Sequence, residues 1–241
     1  MRFPKSVFRP LLALTLLLPA GPVLAEDCVV LLHGLWRSEN SMNKMEEAMT
    51  EAGYTVRNIE YDSTEFTVQE LADEAIPRAT EACGDAKTIH FVTHSMGGIL
   101  LRQYLEHDDI EALGRVVMLG PPNQGSEVID SYEDLPGFDW VAGPAGLQLG
   151  TGEASVPRSL GPVTFDVGVI AGTRSINPIL SGILPDTDDG KVSVESTRVE
   201  GMNDHLEMPV NHVFMMRNHD VFAQVIHYLE FGRFMRAKID G

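Results

Sequence analysis

A short segment at residues 93–97 places a serine where a nucleophile is useful. The segment reads Thr-His-Ser-Met-Gly, with Ser95 at its centre. An apolar run that predicts a buried strand, residues 87–93, leads into it, and a helical pattern over residues 95–107 follows at once. A sharp strand-to-helix turn exposes a serine hydroxyl at the carboxyl end of a sheet, beside the positive end of the helix dipole. This context predicts a nucleophile, although a serine before a helix is also an ordinary cap.

Eight histidines compete for the role of general base that such a serine requires. His94 lies inside the turn itself, where its side chain is expected to point away from the hydroxyl. His90 lies within a predicted strand, His107 and His227 lie on predicted helices, and His219 lies at the start of the last helix. His205 and His212, near the last predicted strand, remain as candidates for the base.

Strands and helices alternate along most of the chain. Apolar or alternating runs predict strands at residues 28–32, 54–59, 87–93, 115–119, 165–171 and 206–210. Helical patterns occupy residues 41–52, 67–82, 95–107 and 220–237. The alternation predicts an α/β protein with a mostly parallel central sheet and helices on both faces.

The alternation stops between Pro121 and Pro162, where Gly and Pro are frequent and no period is sustained. Such a stretch in a compact domain predicts a long loop or a small cap over the sheet, at about residues 121–162. No linker or internal repeat divides the chain, so residues 26–241 are expected to form a single domain.

Taken together, these motifs resemble the α/β-hydrolase family, in its bacterial lipase-like branch of lipases and esterases. Residues 33–36 (His-Gly-Leu-Trp), 119–126 (Leu-Gly-Pro-Pro-Asn-Gln-Gly-Ser) and 189–192 (Asp-Gly-Lys-Val) add to the likeness, which covers nearly all of residues 28–237. The resemblance implies the α/β-hydrolase fold with a small cap. One position departs from the family's Gly-x-Ser-x-Gly turn, because Thr93 replaces the first glycine and its β-branched side chain crowds the turn.

The resemblance also implies a role for the residues around Ser95. The backbone N–H groups of Leu35 and Met96 would form the oxyanion hole, which stabilises the negative charge that develops on the substrate carbonyl oxygen. His33 would shape the turn that carries Leu35 and would not transfer a proton. The family's base lies in a loop before the final helix, which favours His212 as the base.

The acid of this family lies between the nucleophile and the base in chain order. Asp186, Asp188 and Asp189 qualify, and the Asp-Gly-x-Val pattern favours Asp189, with Asp188 as the alternative. The acid would hold His212 in the reactive tautomer. A partial calcium loop is a competing interpretation of this acidic cluster, but the cluster lacks the spacing and the distal Glu of an EF-hand.

A site of this kind predicts hydrolysis of carboxylic esters through an acyl-enzyme intermediate. The resemblance to lipase-like proteins implies a lipid or acyl ester as the substrate. No cofactor and no metal are expected. Two alternatives remain open: an acyltransferase or thioesterase that uses the same residues, and a non-catalytic binding module that retains the fold. Transient contact with a lipid surface is a further expectation.

The charge balance argues against a nucleic-acid partner. The 241 residues contain 18 Lys and Arg against 35 Asp and Glu, which gives a formal net charge of −17. Binding a phosphate backbone requires clustered cations that displace counterions, and this composition does not favour it.

Residues 1–25 have the pattern of a secretory signal peptide. A basic start, Arg2 to Arg9, precedes the apolar run Leu11 to Leu18, and the small residue Ala25 ends a cleavable segment. A retained membrane anchor is the alternative, but a bilayer span needs about 20 apolar residues. The chain is therefore expected to be exported to the periplasm or the extracellular space.

Cys28 and Cys83 are the two cysteines of the chain. An oxidising compartment favours a disulfide, and two buried free thiols are the alternative. In α/β hydrolases, the strand that leads to the oxyanion turn lies beside the strand that leads to the nucleophile. The resemblance thus implies a Cys28–Cys83 bridge at the amino edge of the sheet, away from the site.

Overall fold

A computed structural model describes residues 27–236 of the protein, and the expected signal peptide at residues 1–25 lies outside the described residues. The centre of the fold is a six-stranded sheet in the order β2-β1-β3-β4-β5-β6, in which every neighbouring pair of strands is parallel. The prediction of a parallel α/β sheet is thereby confirmed. Within residues 27–236, no helix combines the length and hydropathy of a membrane span.

The strands are β1 (Cys28–Leu32), β2 (Thr55–Ile59), β3 (Ile89–His94), β4 (Leu113–Leu119), β5 (Val167–Gly172) and β6 (Asp204–Met208). The helices are α1 (Asn43–Glu51), α2 (Val68–Ala82), α3 (Met96–Leu105), α4 (Glu127–Tyr132), α5 (Phe138–Leu147), α6 (Val156–Ser159), α7 (Pro178–Ser181) and α8 (His219–Phe231). Every strand bound lies within two residues of the one expected from the sequence.

Two hydrophobic cores cover the two faces of the sheet. Successive side chains of a strand point to opposite faces, so β1 contributes to both cores. Cys28, Val30 and Leu32 belong to the core that includes residues of α2 and α3. Val29 and Leu31 belong to the core that includes residues of α1 and α8. All five side chains are fully buried, which explains the continuous apolar run.

Local capping sets the ends of the long helices. Thr67 and Glu70 form a reciprocal capping box at the start of α2, in which each side chain accepts a hydrogen bond from the other's backbone N–H. The Asn218 side chain accepts two N–H groups of the first turn of α8. The expectation of a helix to residue 237 was wrong, because α8 ends at Phe231, where Gly232 adopts a left-handed conformation with φ 67°.

The stretch at residues 121–162 contains three short helices, α4, α5 and α6, where the sequence indicated no sustained period. Gly143 breaks the helical dihedrals inside α5, with φ 65° and ψ 175°, and Pro144 follows it. A Cβ atom on Gly143 would lie 2.0 Å from the carbonyl oxygen of Thr64. Helices this short and interrupted do not produce a readable 3.6-residue pattern.

The two cysteines form a disulfide, with their Cα atoms 5.9 Å apart. Cys28 begins β1 and pairs in register with Ile89 at the start of β3, while Cys83 caps the end of α2. The bridge therefore lies at the amino edge of the sheet, as expected, and the alternative of two free thiols is wrong.

Candidate active site

Ser95 occupies a strained turn between β3 and α3. Its backbone has φ 53° and ψ −123°, which is unfavourable for a residue with a side chain. The N–H of Ser95 donates to the carbonyl oxygen of Leu119 at 2.9 Å and ties the turn to the end of β4. The helix begins at the next residue, Met96, so the hydroxyl lies beside the N-terminus of α3.

Two glycines allow this turn to pack against the sheet. A Cβ atom on Gly97 would lie 2.7 Å from the carbonyl oxygen of Leu32, so any side chain there would push α3 away from β1. A Cβ atom on Gly98 would lie 3.2 Å from Oγ1 of Thr93. Gly98 thus leaves room for the buried side chain of Thr93, which relieves the crowding that the sequence indicated.

His212 and Asp189 form a buried pair. Nδ1 of His212 lies 2.7 Å from Oδ2 of Asp189, and the two residues are 3% and 1% exposed. Oδ1 of Asp189 accepts the N–H groups of Lys191 at 3.0 Å and Val192 at 2.8 Å. These donors stabilise the carboxylate charge and leave Oδ2 directed at the imidazole.

Gly120, for which the sequence indicated no role, makes space for this pair. It follows β4 with φ 53°, and a Cβ atom there would lie 3.0 Å from Oδ2 of Asp189 and 3.2 Å from Nδ1 of His212. A side chain would therefore crowd both partners of the hydrogen bond and force them to shift. Only the Leu-Gly-Pro-Pro segment of the sequence marked this position.

His94 supports the loop that carries His212. Its Nε2 lies 3.0 Å from the carbonyl oxygen of His212, and the two ring centroids are 4.7 Å apart. A carbonyl oxygen only accepts, so His94 donates from Nε2. Burial lowers the pKa of His94 well below its usual value, and the nearby His212 acts in the same direction. The ring is therefore neutral, and its Nε2–H donates a hydrogen bond to the His212 backbone. Sequence reasoning missed this role.

His205, the other candidate base, lies inside β6 and does not line the cavity of Ser95. Its Nε2 is 2.9 Å from Oγ1 of Thr197. Burial, followed by the positive charge of Arg198, lowers its pKa to about 4. The structure thus brings His212, and not His205, together with Asp189.

The neighbouring aspartates face other groups. Oδ1 of Asp188 accepts the hydroxyl of Ser181 at 2.7 Å and the N–H of Gly190 at 2.6 Å. Asp186 lies in the same loop with φ 54°. Between residues 27 and 236, no group of three or more His, Cys, Asp or Glu side chains is arranged to hold a metal ion.

The turn after β1 is held rigidly next to Ser95. The ring of His33 stacks on Tyr61 with centroids 3.9 Å apart, and the Tyr61 hydroxyl donates to the carbonyl oxygen of His33. Nδ1 of His33 lies 3.0 Å from the carbonyl oxygen of Gly34, and burial lowers the pKa of this imidazole. A Cβ atom on Gly34 would lie 3.0 Å from Cβ of Ser95, so the two turns are in contact.

This contact brings the two expected oxyanion-hole amides to neighbouring turns. Leu35 directly follows Gly34, and its N–H has no backbone acceptor within the part of the chain that the structure describes. Met96 is the first residue of α3, where an N–H has no partner within the helix. Within residues 27–236, neither amide therefore donates to a backbone carbonyl.

Ser95 and His212 line one cavity of about 320 Å³. Most of its wall is apolar and comes from the turn after β1 and from the α4–α5 region: Leu35, Val128, Ile129, Tyr132, Phe138 and Leu149. Arg37 and Lys191 also line it. The cavity can therefore hold a hydrocarbon chain beside a serine hydroxyl and a histidine ring.

A family model described as palmitoyl protein thioesterase matches residues 28–152, slightly more than half of the chain. A search among curated proteins found no match. The mature form of lipase BlEst2 from Bacillus licheniformis aligns with a TM-score of 0.65 and 21% identity, over 86% of this chain and 94% of that chain. Its propeptide form gives a TM-score of 0.67 and 19% identity, over 90% of this chain, which spans about half (52%) of that form.

The metagenomic carboxyl esterase MGS0156 aligns with a TM-score of 0.64 and 18% identity, over 88% of this chain and 70% of that chain. At such identities, these structural likenesses show the fold alone. The shared fold is the α/β-hydrolase fold of bacterial lipases and esterases.

Proposed function

Because the chain belongs to the palmitoyl protein thioesterase family, we propose that it is a serine hydrolase that cleaves carboxylic acyl esters through an acyl-enzyme intermediate. The observation that carries the proposal is the shared cavity of Ser95 and His212, with His212 held 2.7 Å from Asp189. The proposed chemistry uses side chains and backbone amides and needs no cofactor.

In the proposed acylation, the Asp189 carboxylate accepts the Nδ1–H of His212, and Nε2 takes the proton of the Ser95 hydroxyl. Oγ of Ser95 forms a bond to the ester carbonyl carbon. The resulting oxyanion accepts hydrogen bonds from the N–H groups of Leu35 and Met96, and each such donor contributes about 3 kcal/mol to transition-state stabilisation. The carbon–oxygen bond to the alcohol then breaks, and the alcohol leaves with the proton from His212.

Deacylation repeats these steps with water as the nucleophile. His212 removes a proton from water, whose oxygen attacks the acyl carbon. The bond between that carbon and Oγ of Ser95 then breaks, and His212 returns the proton to Oγ as the carboxylic acid is released. An alcohol in place of water would give acyl transfer. The same residues would cleave a thioester, and the family match to residues 28–152 favours a thioesterase as the second candidate function.

We propose that helices α4 to α6 form the cap of a single domain and that the apolar wall of the cavity accepts the acyl chain. Two large apolar side chains are exposed on α5 and α7: Trp140 is 86% exposed and Ile179 is 74% exposed. Phe138 and Leu180, on the same two helices, line the cavity itself. This placement supports transient contact with a lipid surface. Sedimentation of the protein and of Trp140→Ser with zwitterionic phospholipid vesicles tests this contact.

We further propose that the protein is exported. The signal-peptide pattern of residues 1–25 and the Cys28–Cys83 disulfide support this location, because disulfides persist in oxidising compartments. Amino-terminal sequencing of the protein recovered from periplasm and medium tests it, with cleavage after Ala25 as the expected result.

The function is tested with p-nitrophenyl esters of increasing acyl length and with acyl thioesters of matched length. We expect turnover that Ser95→Ala abolishes, with a preference for one range of acyl lengths. Product analysis with an added alcohol separates hydrolysis from acyl transfer. Absence of turnover with every ester and thioester, in folded protein, would favour the non-catalytic binding module.

A further inference from the structure

Two cations share the cavity of Ser95 without an acidic partner. Arg37 follows the turn after β1, and Lys191 follows Asp189, and both line the cavity. Within residues 27–236, neither side chain makes an ion pair with Asp or Glu. The lining of this cavity includes no Asp or Glu, although the chain has 35 acidic residues and a net charge of −17.

Because both cations line the same cavity, their positive charges repel each other. Burial lowers the pKa of the Lys191 ammonium, the positive charge of Arg37 lowers it further, and Asp189 offsets part of the effect. Partly buried like charges raise the free energy of the folded protein unless an opposite charge compensates them. The structure therefore has a local excess of positive charge at the place where a substrate would bind.

Contacts within the protein account for only part of this arrangement. Nζ of Lys191 lies 4.9 Å from the ring centroid of Trp36, and the Trp36 indole donates to the carbonyl oxygen of Val141 at 2.6 Å. This cation–π contact orients Lys191, but an aromatic ring is neutral and does not cancel the charge. The guanidinium of Arg37 has no hydrogen-bond partner within residues 27–236, and so it is free to bind a ligand.

We propose that Arg37 and Lys191 bind an anionic group, a phosphate or a carboxylate, on the alcohol or thiol part of the acyl substrate. This inference rests on the proposed function, because the scissile carbonyl must lie at Ser95. The acyl chain packs against the apolar wall formed by Leu35, Ile129 and Leu149. A cation does not stabilise the binding of a hydrocarbon chain, and so Arg37 and Lys191 are left for another part of the substrate. The charged part of the molecule then extends from the ester toward Arg37 and Lys191.

Binding is measured first, because it does not depend on turnover. Calorimetry compares octyl phosphate with the neutral octyl glucoside, for the protein and for Lys191→Met and Arg37→Met. Methionine keeps the apolar stem and removes the charge. Lys44→Met is the matched control, because Lys44 is exposed on α1, pairs with Glu47 and does not line the cavity.

We expect octyl phosphate to bind about tenfold more tightly than octyl glucoside, and each cavity variant to lose most of this preference. Lys44→Met should retain it, and added salt should weaken it. Equal affinities for the two amphiphiles, or a preference that survives both cavity substitutions, would overturn the proposed anion site.

Hydrolysis of a matched pair of esters then tests whether the anionic group belongs to the leaving-group part of the substrate. The octanoyl ester of 3-hydroxybenzoate is compared with that of methyl 3-hydroxybenzoate, since the two leaving groups differ mainly in one negative charge. We expect the ratio of kcat/KM for the charged ester to kcat/KM for the neutral ester to be above one. Lys191→Met should reduce this ratio about tenfold. A ratio at or below one, in protein that hydrolyses the neutral ester, contradicts the anion site and leaves the esterase proposal intact. Failure to hydrolyse either ester contradicts the proposed function instead.

Discussion

His212 and Asp189 are joined by two hydrogen bonds, one between side chains and one between backbones. Nδ1 of His212 lies 2.7 Å from Oδ2 of Asp189, and the His212 N–H donates to the Asp189 carbonyl oxygen at 2.9 Å. The two residues belong to loops that follow different strands, β5 and β6. The backbone hydrogen bond joins the two loops, and so it holds Asp189 and His212 at the separation that their side-chain hydrogen bond requires.

Asp189→Asn should reduce kcat on the order of 10⁴-fold while the protein remains folded. An amide that donates to Nδ1 would force the proton to Nε2, and His212 would then be unable to accept a proton from Ser95. The measurement is kcat with a p-nitrophenyl ester, beside circular dichroism of the variant.

Asp188→Asn is the matched control for this substitution. Asp188 is also buried in the same loop, but its Oδ1 faces Ser181 and Gly190. We expect it to keep activity within about tenfold and to lose some stability, because a charge-assisted hydrogen bond becomes a neutral one. Loss of activity in Asp188→Asn with retention in Asp189→Asn would transfer the acid role to Asp188.

His212→Ala should be almost as inactive as Ser95→Ala, because residues that act as one unit give non-additive losses. His205→Asn should remain active, because His205 lies in β6, forms a hydrogen bond with Thr197 and does not line the cavity. Steady-state kinetics of the two variants at equal concentration decides between the histidines. The reverse pattern would assign the base to His205.

Reduction of the Cys28–Cys83 disulfide should destabilise the protein by about 4 kcal/mol without loss of activity at low temperature. The bridge closes a loop with a sequence separation of 55 residues, and the estimate is the chain entropy that the loop removes from the unfolded state. Urea unfolding of the native protein and of Cys28→Ala/Cys83→Ala measures the difference. Equal midpoints would show that the bridge contributes nothing.

Acid should destabilise the fold as pH falls from 6.5 to about 4. The folded state lowers the pKa of His205 from 6.5 to about 4, so in this range the unfolded chain binds a proton that the folded protein excludes. Burial lowers the pKa of His33, His90 and His94 in the same direction. We expect His205→Asn to show a shallower decrease in the free energy of unfolding over this range. An unchanged slope would show that His205 does not contribute.

Sequence reasoning was most successful where burial determines the residue type on both faces of a strand. The apolar run of β1 and the strand that leads to Ser95 placed both turns of the site, and the order of the strands along the chain followed from alternation alone. The last strand was placed two residues late, because β6 is only partly buried and carries Asp, His and Glu in its first four residues. Because of that shift, His205 was predicted to lie outside the strand, whereas the structure places it within β6.

The contacts that refine the site depend on tertiary structure and could not be predicted. His94 is adjacent to Ser95, but its bond to the carbonyl oxygen of His212 joins residues 118 positions apart. Gly120 matters only because Asp189 and His212 lie against it. The convergence of Arg37 and Lys191 on one cavity likewise comes from loops that follow distant strands.

The central claim is that Ser95 is the nucleophile, and covalent labelling tests it most directly. The folded protein is treated with a fluorophosphonate probe, and intact mass and peptide sequencing identify the modified residue, with Ser95→Ala as the control. The account predicts one adduct per chain, on Ser95, together with loss of ester hydrolysis on the order of 10⁴-fold or more in Ser95→Ala. An adduct on another residue, or a Ser95→Ala variant that keeps most of its activity, would contradict it.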